Sequence, residues 1–440
     1  MGREKQRSEL FVYMNGTKVG EVQRSSQGVL SFLYSPEWLS SQRARPLSLS
    51  MPMQVSRFSG DVVESFFENL LPDNLSIRNR IQQRFRASSN QSFDLLWHIG
   101  RDCVGAIQLL PQDEPPDNER MTLRALSESE IAETLKNYRV NPLGMANEED
   151  FRISIAGAQE KTALLWHNEQ WNLPLGATPT SHIFKLPIGK IQYSQLDLSD
   201  SVENEWLCHL ILKEFGIPIA ECEIQQFEDL KVLVVERFDR RWINSPSRLL
   251  RLPQEDLCQA LGVPPGLKYE SDGGPGIQDI MKLLEGSENV LEDRRTFFKA
   301  QVLFWLLAAV DGHGKNFSIF LKSGGNYRLT PLYDVMSAHP LVARRQMSYH
   351  KLKMAMALRG KRKRYGWNQL QYRHWLSTAK ECNFPSDMVE GIISEILENM
   401  EHVIQYVESL LPDEFPDSIA TPIFEGILKA ARKLETSPRA

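Results

Sequence analysis

The stretch from Arg294 to Asp334 constrains the fold of this 440-residue chain more than any other. The run Val302–Val310 is entirely apolar but far shorter than the about 20 residues that cross a bilayer, so it predicts a helix buried in a protein core. The polar sequence Asp311-Gly-His-Gly-Lys-Asn316 follows. Two strand-like runs around a Ser-Gly-Gly-Asn turn then predict a β-hairpin. A polar loop held between a core helix and a hairpin is typical of a functional loop.

The spacing within this loop indicates a chemistry. Asp311 and Asn316 are separated by four residues, as in the catalytic loop of protein kinases, where the aspartate is the base and the asparagine binds Mg²⁺. Asp334, after the hairpin, lies where kinases carry a second metal ligand. The alternative is a turn rich in Asp and Asn that is capped by its own side chains, which would leave the buried helix unexplained.

Composition excludes several classes of protein. Hydrophobic residues make up 42% of the chain and charged residues 24%, as in ordinary soluble globular proteins. The net charge of −5 gives no overall signal for nucleic acid, so any such contact requires a local patch. Five cysteines without a C-x-x-C pair argue against a disulfide framework and a structural zinc site. The N-terminus has no apolar signal segment, and we expect a cytoplasmic protein.

We predict three structural units. Residues 1–140 form a mixed α/β domain that opens with a hairpin at Asn15-Gly16 and contains a helical segment, 61–86, broken at Pro72. Residues 141–240 form a β-rich lobe and 241–440 a helical lobe. The fold class is α+β: a two-lobed, kinase-like fold preceded by a small N-terminal domain, with a nucleotide in the cleft between the lobes.

The β-rich lobe begins with two predicted strands, Phe151–Ile155 and Thr162–Trp166. Between them lies a loop of small residues that ends in Lys161. Backbone N–H groups and a cation in such a loop can surround phosphates, although a plain hairpin turn explains the pattern equally well.

A lysine and a glutamate follow in the order that kinases use for an ion pair. Lys185 is the single charge within the predicted strand Ser181–Pro187, where it points either to solvent or to a phosphate. The next helix begins near Asp200, with Glu203 as a possible capping-box residue, and ends at Gly216. Glu203 and Glu205 both lie on this helix, and a solvated position explains either of them as well; we select Glu205 as the partner of Lys185.

The strand KVLVV leads to Glu236-Arg-Phe-Asp239, where backbone groups would form hydrogen bonds with an adenine.

Beyond this segment the pattern predicts helices at 253–262 and 276–286, and a helical tail at 350–440. Within that tail Arg359–Tyr365 carries five basic residues in seven. This run is either a solvated loop or a contact for a phosphate backbone or an acidic partner.

Seven motifs in this order resemble the HipA family of bacterial serine/threonine kinases, the toxin halves of toxin–antitoxin pairs linked to persistence. They are FRISIAGAQEKTALL, HIFKLPIG, VVERFDRR, LPQED, KYESDGGPGI, DGHGKNFSIF and RLTPLYDV. FFENLLPDN and IGRDCVGAIQLLP also match, so the resemblance covers almost the whole chain.

The resemblance implies roles for individual residues. Asp311 would be the catalytic base, Asn316 and Asp334 the Mg²⁺ ligands, and Ser154 a serine whose autophosphorylation silences the kinase. The ATP-binding set would comprise Ile155, Ala156, Gly157, Ala158, Gln159, Glu160, Lys161, Lys185, Glu205, Glu236, Arg237, Phe238, His313, Lys315, Asn316 and Tyr333.

The resemblance also implies cofactors and partners. ATP and Mg²⁺ would be the cofactors, and a HipB-type helix-turn-helix antitoxin would bind the chain, restrain it and repress transcription with it on operator DNA. Glutamyl-tRNA synthetase is the substrate associated with the family, and no residue of the sequence by itself identifies this substrate.

Three other functions compete with this interpretation. A kinase-like fold can phosphorylate a lipid or a small molecule, and a chain without catalysis can act as a corepressor. Metal-dependent phosphoester hydrolysis by the Asp/His/Asn cluster is the third, but a single histidine in the cluster gives little support for a metal site.

Overall fold

The computed structural model describes residues 8–113, 115–116, 120–137, 155–156, 159, 161–191, 196–243 and 248–436.

The N-terminal part is an antiparallel five-stranded sheet with helices. The strand order is β4-β3-β2-β1-β5, from β1 (Glu9–Met14), β2 (Thr17–Arg24), β3 (Leu30–Tyr34), β4 (Phe58–Ser59) and β5 (Ile107–Leu110). The helices are α1 (Pro36–Leu39), α2 (Asp61–Glu68), α3 (Leu75–Phe85) and α4 (Ser92–Ile99). The hairpin at Asn15-Gly16 is confirmed, with φ positive at both residues, and so is the helix break around Pro72.

An antiparallel six-stranded sheet follows, in the order β12-β13-β9-β7-β8-β6. Its elements and their connections are β6 (Thr122–Ala125), α5 (Glu128–Lys136), β7 (Lys161–His167), β8 (Gln170–Leu175), β9 (His182–Lys185), β10 (Gly189–Lys190), β11 (Asp197–Leu198), α6 (Ser201–Glu214), β12 (Cys222–Phe227) and β13 (Leu230–Glu236). Strand β6 was not predicted, and it pairs with β8. The domain boundaries at 140 and 240 stay predictions.

The C-terminal part is mainly helical. It contains β14 (Arg240–Ile243), β15 (Arg248–Arg251), β16 (Gln254–Asp256), α7 (Leu257–Ala260), α8 (Ile277–Leu283), α9 (Val290–Leu306), β17 (Ser318–Leu321), β18 (Tyr327–Leu329), α10 (His339–Ala343), β19 (Lys353–Arg359), β20 (Lys363–Gly366), α11 (Tyr372–Glu381), α12 (Ser386–Ser409) and α13 (Asp417–Thr436). Helix α9 is buried and packs against α12 and α13, and β17 and β18 form a hairpin. The predicted core helix and hairpin are therefore confirmed.

Three local predictions are wrong. The expected capping box of α6 is absent, because the Asp200 side chain makes no cap hydrogen bond and Glu203 pairs with Lys231 at 2.6 Å. Residues 254–256 are a strand because they pair with β17. The helical tail begins only at α11, since 353–366 form the hairpin β19–β20, which carries the basic run.

The packing of strand β16 against the N-terminal part buries a carboxyl group. Glu255 accepts a hydrogen bond from the Leu49 backbone N–H at 2.8 Å through Oε1, while Oε2 is buried without a partner among the described residues. Burial raises the pKa of Glu255 to about 8 from its ordinary 4.5. Between these two values the folded protein keeps the proton on Glu255, whereas the unfolded chain releases it. The free energy of unfolding therefore falls as the pH rises from about 4.5 to about 8.

We expect Glu255→Gln to remove this pH dependence, because glutamine resembles the protonated carboxyl and cannot ionise. At about pH 9 the free energy of unfolding of the variant should exceed that of wild type by at least about 1 kcal/mol, which is roughly the free energy of one pKa unit. Thermal unfolding of both proteins from about pH 5 to about pH 9 measures the difference. A difference in Tm that stays constant with pH would contradict the assignment.

Candidate active site

The loop after α9 holds Asp311 and Asn316 close to each other. Asn316 ends a short 3₁₀ turn, and its Nδ2 donates to the backbone oxygen of Asp311 at 2.9 Å. This bond leaves the carbonyl oxygen of the Asn316 side chain for a cation. Asp311 is exposed, and its Oδ1 accepts a hydrogen bond of 2.5 Å from the Tyr269 hydroxyl.

The two glycines of this loop are required by close packing. A Cβ atom at Gly312 would lie 2.6 Å from the ring of Phe304, and one at Gly314 would lie 2.7 Å from Pro275. Both distances are shorter than contacts between carbon atoms allow. The loop can therefore approach the buried helix only with glycine at these positions.

A lysine at the end of β9 connects two carboxylates of different elements. Lys185 Nζ lies 2.6 Å from Glu205 Oε1 on α6 and 2.6 Å from Asp334 Oδ1. Lys185 and Glu205 are buried. Burial alone would lower the pKa of Lys185, but the two carboxylates hold it above its ordinary value. The structure thus brings together the predicted lysine, glutamate and metal-ligand aspartate.

Backbone bonds between the lobes position Asp334. Leu332 donates to Pro218 O and accepts from the Ala220 N–H, both at 2.8 Å. Asp334 itself has φ of +65°, a conformation that is costly for a residue other than glycine and is found at functional sites. Burial would raise the pKa of Asp334, but Lys185 and Lys161 hold it below its ordinary value, so the carboxylate is ionised.

A second lysine lies beside Lys185. Lys161 on β7 is its cross-strand partner in the sheet, and it is also buried. Burial lowers the pKa of Lys161 to about 8. Gln159 donates to Leu186 O at 2.9 Å, which fixes the end of the predicted phosphate loop next to Lys185. Of that loop, Ile155 is buried and Ala156 half-buried, while Ser154, Gly157, Ala158 and Glu160 lie outside the described residues.

Aromatic rings connect the end of β13 to the catalytic loop. The ring of Phe238 lies 5.7 Å from that of Tyr333, whose hydroxyl donates to Lys315 O at 2.8 Å. Glu236 is exposed, and its backbone N–H donates to Glu221 O. The predicted adenine-contacting segment is therefore packed on the loop that carries Asn316.

Arg237, the other residue of that segment, has a different environment. Its guanidinium is buried in an ionic cluster with two carboxylates and two further guanidiniums: Asp102, Asp239, Arg240 and Arg251. Asp102 accepts from Arg240 and Arg251 at 2.9 Å each and from the Thr180 hydroxyl at 2.7 Å. Its backbone N–H donates to Ser181 O at 2.9 Å and its carbonyl oxygen accepts from the Arg240 N–H at 3.1 Å. The structure therefore leaves neither the side chain nor the backbone N–H of Arg237 for a nucleotide.

Two loop residues predicted to bind ATP, Lys315 and His313, have contacts with other parts of the chain. Lys315 Nζ lies 2.7 Å from Asp73 Oδ1, and the same carboxylate contacts Lys268 at 2.9 Å. His313 is buried with its ring against Tyr269, and burial lowers its pKa.

Sequence reasoning assigned no role to Asp73, Lys268 or Tyr269. The signal was available, because Asp73 lies in FFENLLPDN and the other two in KYESDGGPGI. The N-terminal part thus contacts the catalytic loop through a carboxylate.

We expect Asp73→Asn to disturb the catalytic loop from outside the site. The change leaves the buried ammonium of Lys315 without its counter-charge, which costs about 3 kcal/mol for a buried ion pair. The Tm should fall, and turnover should fall with it, because Lys315 lies in the loop between Asp311 and Asn316. Asp61→Asn, at an exposed aspartate of the same domain, is the control. Equal Tm and turnover in the two variants would contradict this positioning role.

The residues fit a hard divalent cation. Asp334 offers a carboxylate oxygen and Asn316 an amide oxygen, the ligands that Mg²⁺ prefers. Among the described residues no group of three or more His, Cys, Asp or Glu side chains could hold a metal by itself. A cation here would therefore complete its shell with phosphate oxygens and water.

Comparison with known proteins identifies the family of the chain. Residues 153–404 match the family model for the HipA-like C-terminal domain, and residues 10–110 match that for the HipA N-terminal domain. The chain belongs to the HipA family. It is 32% identical to Y4mE of Sinorhizobium fredii, whose name assigns kinase activity provisionally, over 93% of this chain and 96% of that protein.

A second relative and a solved structure extend the HipA comparison. The serine/threonine-protein kinase toxin HipA of Shewanella oneidensis is 28% identical over 74% of this chain and 75% of that protein. The solved complex of Shewanella oneidensis HipA, HipB and operator DNA contains a chain with a TM-score of 0.79, 24% identity and 97% coverage of both chains. This likeness confirms the two-lobed HipA fold with its N-terminal domain. No helix in the described ranges has the length and apolar character to cross a membrane.

Proposed function

We propose that this chain is an ATP- and Mg²⁺-dependent serine/threonine protein kinase and the toxin of a type II toxin–antitoxin pair. One observation carries the proposal: Lys185 contacts both Glu205 and Asp334 at 2.6 Å. A lysine paired with a helix glutamate, a metal-binding aspartate and a base followed by asparagine are the parts that phosphoryl transfer requires. The names of the relatives support it.

In this proposal each residue has one task. Lys185 and Lys161 bind the phosphates, while Glu205 holds Lys185 in place. Asp311 accepts the proton of the attacking hydroxyl, which displaces the Tyr269 hydroxyl from Oδ1. Asp334 and Asn316 would hold Mg²⁺, which when bound neutralises charge on the transferred phosphoryl group. Phe238 and Tyr333 form the apolar wall of the adenine pocket.

The finer assignments rest on family membership. We propose glutamyl-tRNA synthetase as the protein substrate, a HipB-type antitoxin as the partner, and corepression on operator DNA with that antitoxin. Phosphorylation of Ser154 would inactivate the kinase, since two added negative charges near a phosphate-binding loop repel ATP. Growth arrest would follow from the loss of charged glutamyl-tRNA.

The substrate assignment is tested by incubating the chain with Mg²⁺-ATP and purified glutamyl-tRNA synthetase, beside the Asp311→Asn variant. A phosphoserine on the synthetase with wild type only is the expected result. Transfer to a lipid or small molecule instead would favour the competing phosphotransferase function. Growth arrest by a catalytically dead variant would favour a corepressor without catalysis.

A further inference from the structure

A tyrosine hydroxyl lies on the proposed catalytic base. Asp311 is exposed, yet its Oδ1 accepts a hydrogen bond of 2.5 Å from the Tyr269 hydroxyl. A hydroxyl that a general base deprotonates has to lie at a similar distance from it, roughly 2.6–3.2 Å. The tyrosine therefore takes the place of an acceptor hydroxyl on this carboxylate.

The ring of Tyr269 packs on the loop that carries the base. It lies edge-on against His313, with the ring centroids 4.9 Å apart, and His313 is buried. The Gly314 N–H donates to the backbone oxygen of Lys268 at 3.2 Å. Side-chain packing and a backbone hydrogen bond thus hold the hydroxyl beside Asp311.

The residues on either side of Tyr269 are anchored to other parts of the chain. Lys268 forms an ion pair with Asp73 of the N-terminal part at 2.9 Å. Glu270 accepts a hydrogen bond from the Ala357 N–H on β19 at 2.6 Å. A side chain between two anchored residues loses little further freedom when it forms a hydrogen bond, so the occupied state of Asp311 is favoured.

The charge on Asp311 also favours this contact. Burial and the Asp311 carboxylate raise the pKa of Tyr269 above its ordinary value, so the phenol keeps the proton that it donates. Hydrogen bonds to an ionised acceptor are stronger than those between neutral groups. An acceptor that reaches this oxygen has to break such a bond first.

We infer that Tyr269 determines which acceptors the proposed kinase uses: its hydroxyl occupies the acceptor position on Asp311 until a protein substrate displaces it, which suppresses transfer to water. The inference deepens the proposed function and rests on it. A protein acceptor binds through many contacts besides its serine, so at saturation it displaces the hydroxyl completely. Water has no such contacts and competes poorly for the base.

The suppressed reaction is the hydrolysis of ATP. The oxygen of water forms a bond to the γ-phosphorus while the bond from that phosphorus to the bridging oxygen of ADP breaks, and a proton of the water passes to Asp311. The products are ADP and inorganic phosphate. The release of ADP without an acceptor protein therefore measures this reaction.

The test compares ADP release by the purified full-length chain and its Tyr269→Phe variant, with Mg²⁺-ATP and no acceptor protein. Phenylalanine keeps the ring against His313 and removes only the hydroxyl. The matched control is Tyr349→Phe, which removes a half-buried hydroxyl that is hydrogen-bonded to His339 Nδ1 at 2.9 Å. All three proteins carry Ser154→Ala, so that the proposed autophosphorylation neither consumes ATP nor silences the chain.

We expect Tyr269→Phe to release ADP about tenfold faster than the other two proteins, since a hydrogen bond to a charged group corresponds to a factor of about this size. At saturating glutamyl-tRNA synthetase its kcat should equal that of the parent protein, while its KM for the synthetase should be lower. Unchanged or slower ADP release by Tyr269→Phe would overturn the inference, because the hydroxyl would then orient Asp311 for catalysis. An equal rise in Tyr349→Phe, or phosphate mapped to Tyr269 itself, would also overturn it.

A further variant separates this inference from the proposed function. The gain in ADP release should disappear when Asp311→Asn is added to Tyr269→Phe, because an amide oxygen cannot take the proton of water. A gain that survives this addition would overturn the inference alone. ADP release no faster than that of Asp311→Asn in every protein, with and without the synthetase, would contradict the proposed kinase function and the inference with it.

Discussion

Replacing Asp311 with asparagine should slow phosphoryl transfer by about 10²–10⁴-fold while leaving ATP affinity nearly unchanged, because general base catalysis contributes a factor of this size. Asparagine has the same shape and can still accept the Tyr269 hydrogen bond, but it cannot take a proton. The Asp311 backbone oxygen that orients Asn316 is also retained. Single-turnover rates and ATP titrations on the same preparations measure the two quantities separately.

Asp334→Asn provides the contrast. This change removes a charge that contacts Lys185 at 2.6 Å and an oxygen ligand for the cation, so both ATP affinity and transfer should be lost. The two variants therefore differ in nucleotide binding although both lose activity. Wild-type transfer in either one, or loss of ATP binding in both, would contradict the roles given to these aspartates.

Asp102→Ala should destabilise the folded protein by about 3–5 kcal/mol, the cost of removing one partner from a buried ionic group. Asp102 is buried and accepts hydrogen bonds from Arg240, Arg251 and Thr180. Burial would raise the pKa of Asp102, but the arginines hold it below its ordinary value. Without this carboxylate, Arg237 and Arg240 would keep only Asp239, and Arg251 would have no carboxylate partner among the described residues.

Thermal unfolding measures this effect, and we expect Tm to fall by on the order of 10 °C. Asp113→Ala is the matched control, because Asp113 also pairs with a cation, Lys18, but on the surface. Exposed pairs contribute about 0–1 kcal/mol, so this Tm should change little. Equal Tm values for the two variants would show that the buried cluster does not hold the N-terminal part to the segment after β13.

The place of the loop of Asp311 and Asn316 and the ion pair between Lys185 and Glu205 could be predicted from the sequence, because their signals are local. Asp311 and Asn316 lie in one loop. Lys185 lies in a strand and Glu205 in the next helix along the chain, which is the order of a kinase. The core helix and hairpin around the loop follow from hydrophobic pattern and turn residues.

Contacts between distant segments could not be predicted in this way. Asp102 meets its partners 78 to 149 residues further along the chain, and Asp73 meets Lys315 across 242 residues. No periodicity or spacing encodes such pairs, since they form only after the domains pack. Strand β6 was missed for a similar reason, because it is stabilised by pairing with β8.

The most direct test of the kinase function is the intact mass of the purified chain before and after incubation with Mg²⁺-ATP, beside Asp311→Asn. We predict a gain of one phosphate in wild type only, which peptide mapping places on Ser154. The starting mass shows whether the purified protein already carries that phosphate, and treatment with a phosphatase restores the unmodified form. No gain by unmodified wild type, or an equal gain by the Asp311→Asn variant, would contradict it.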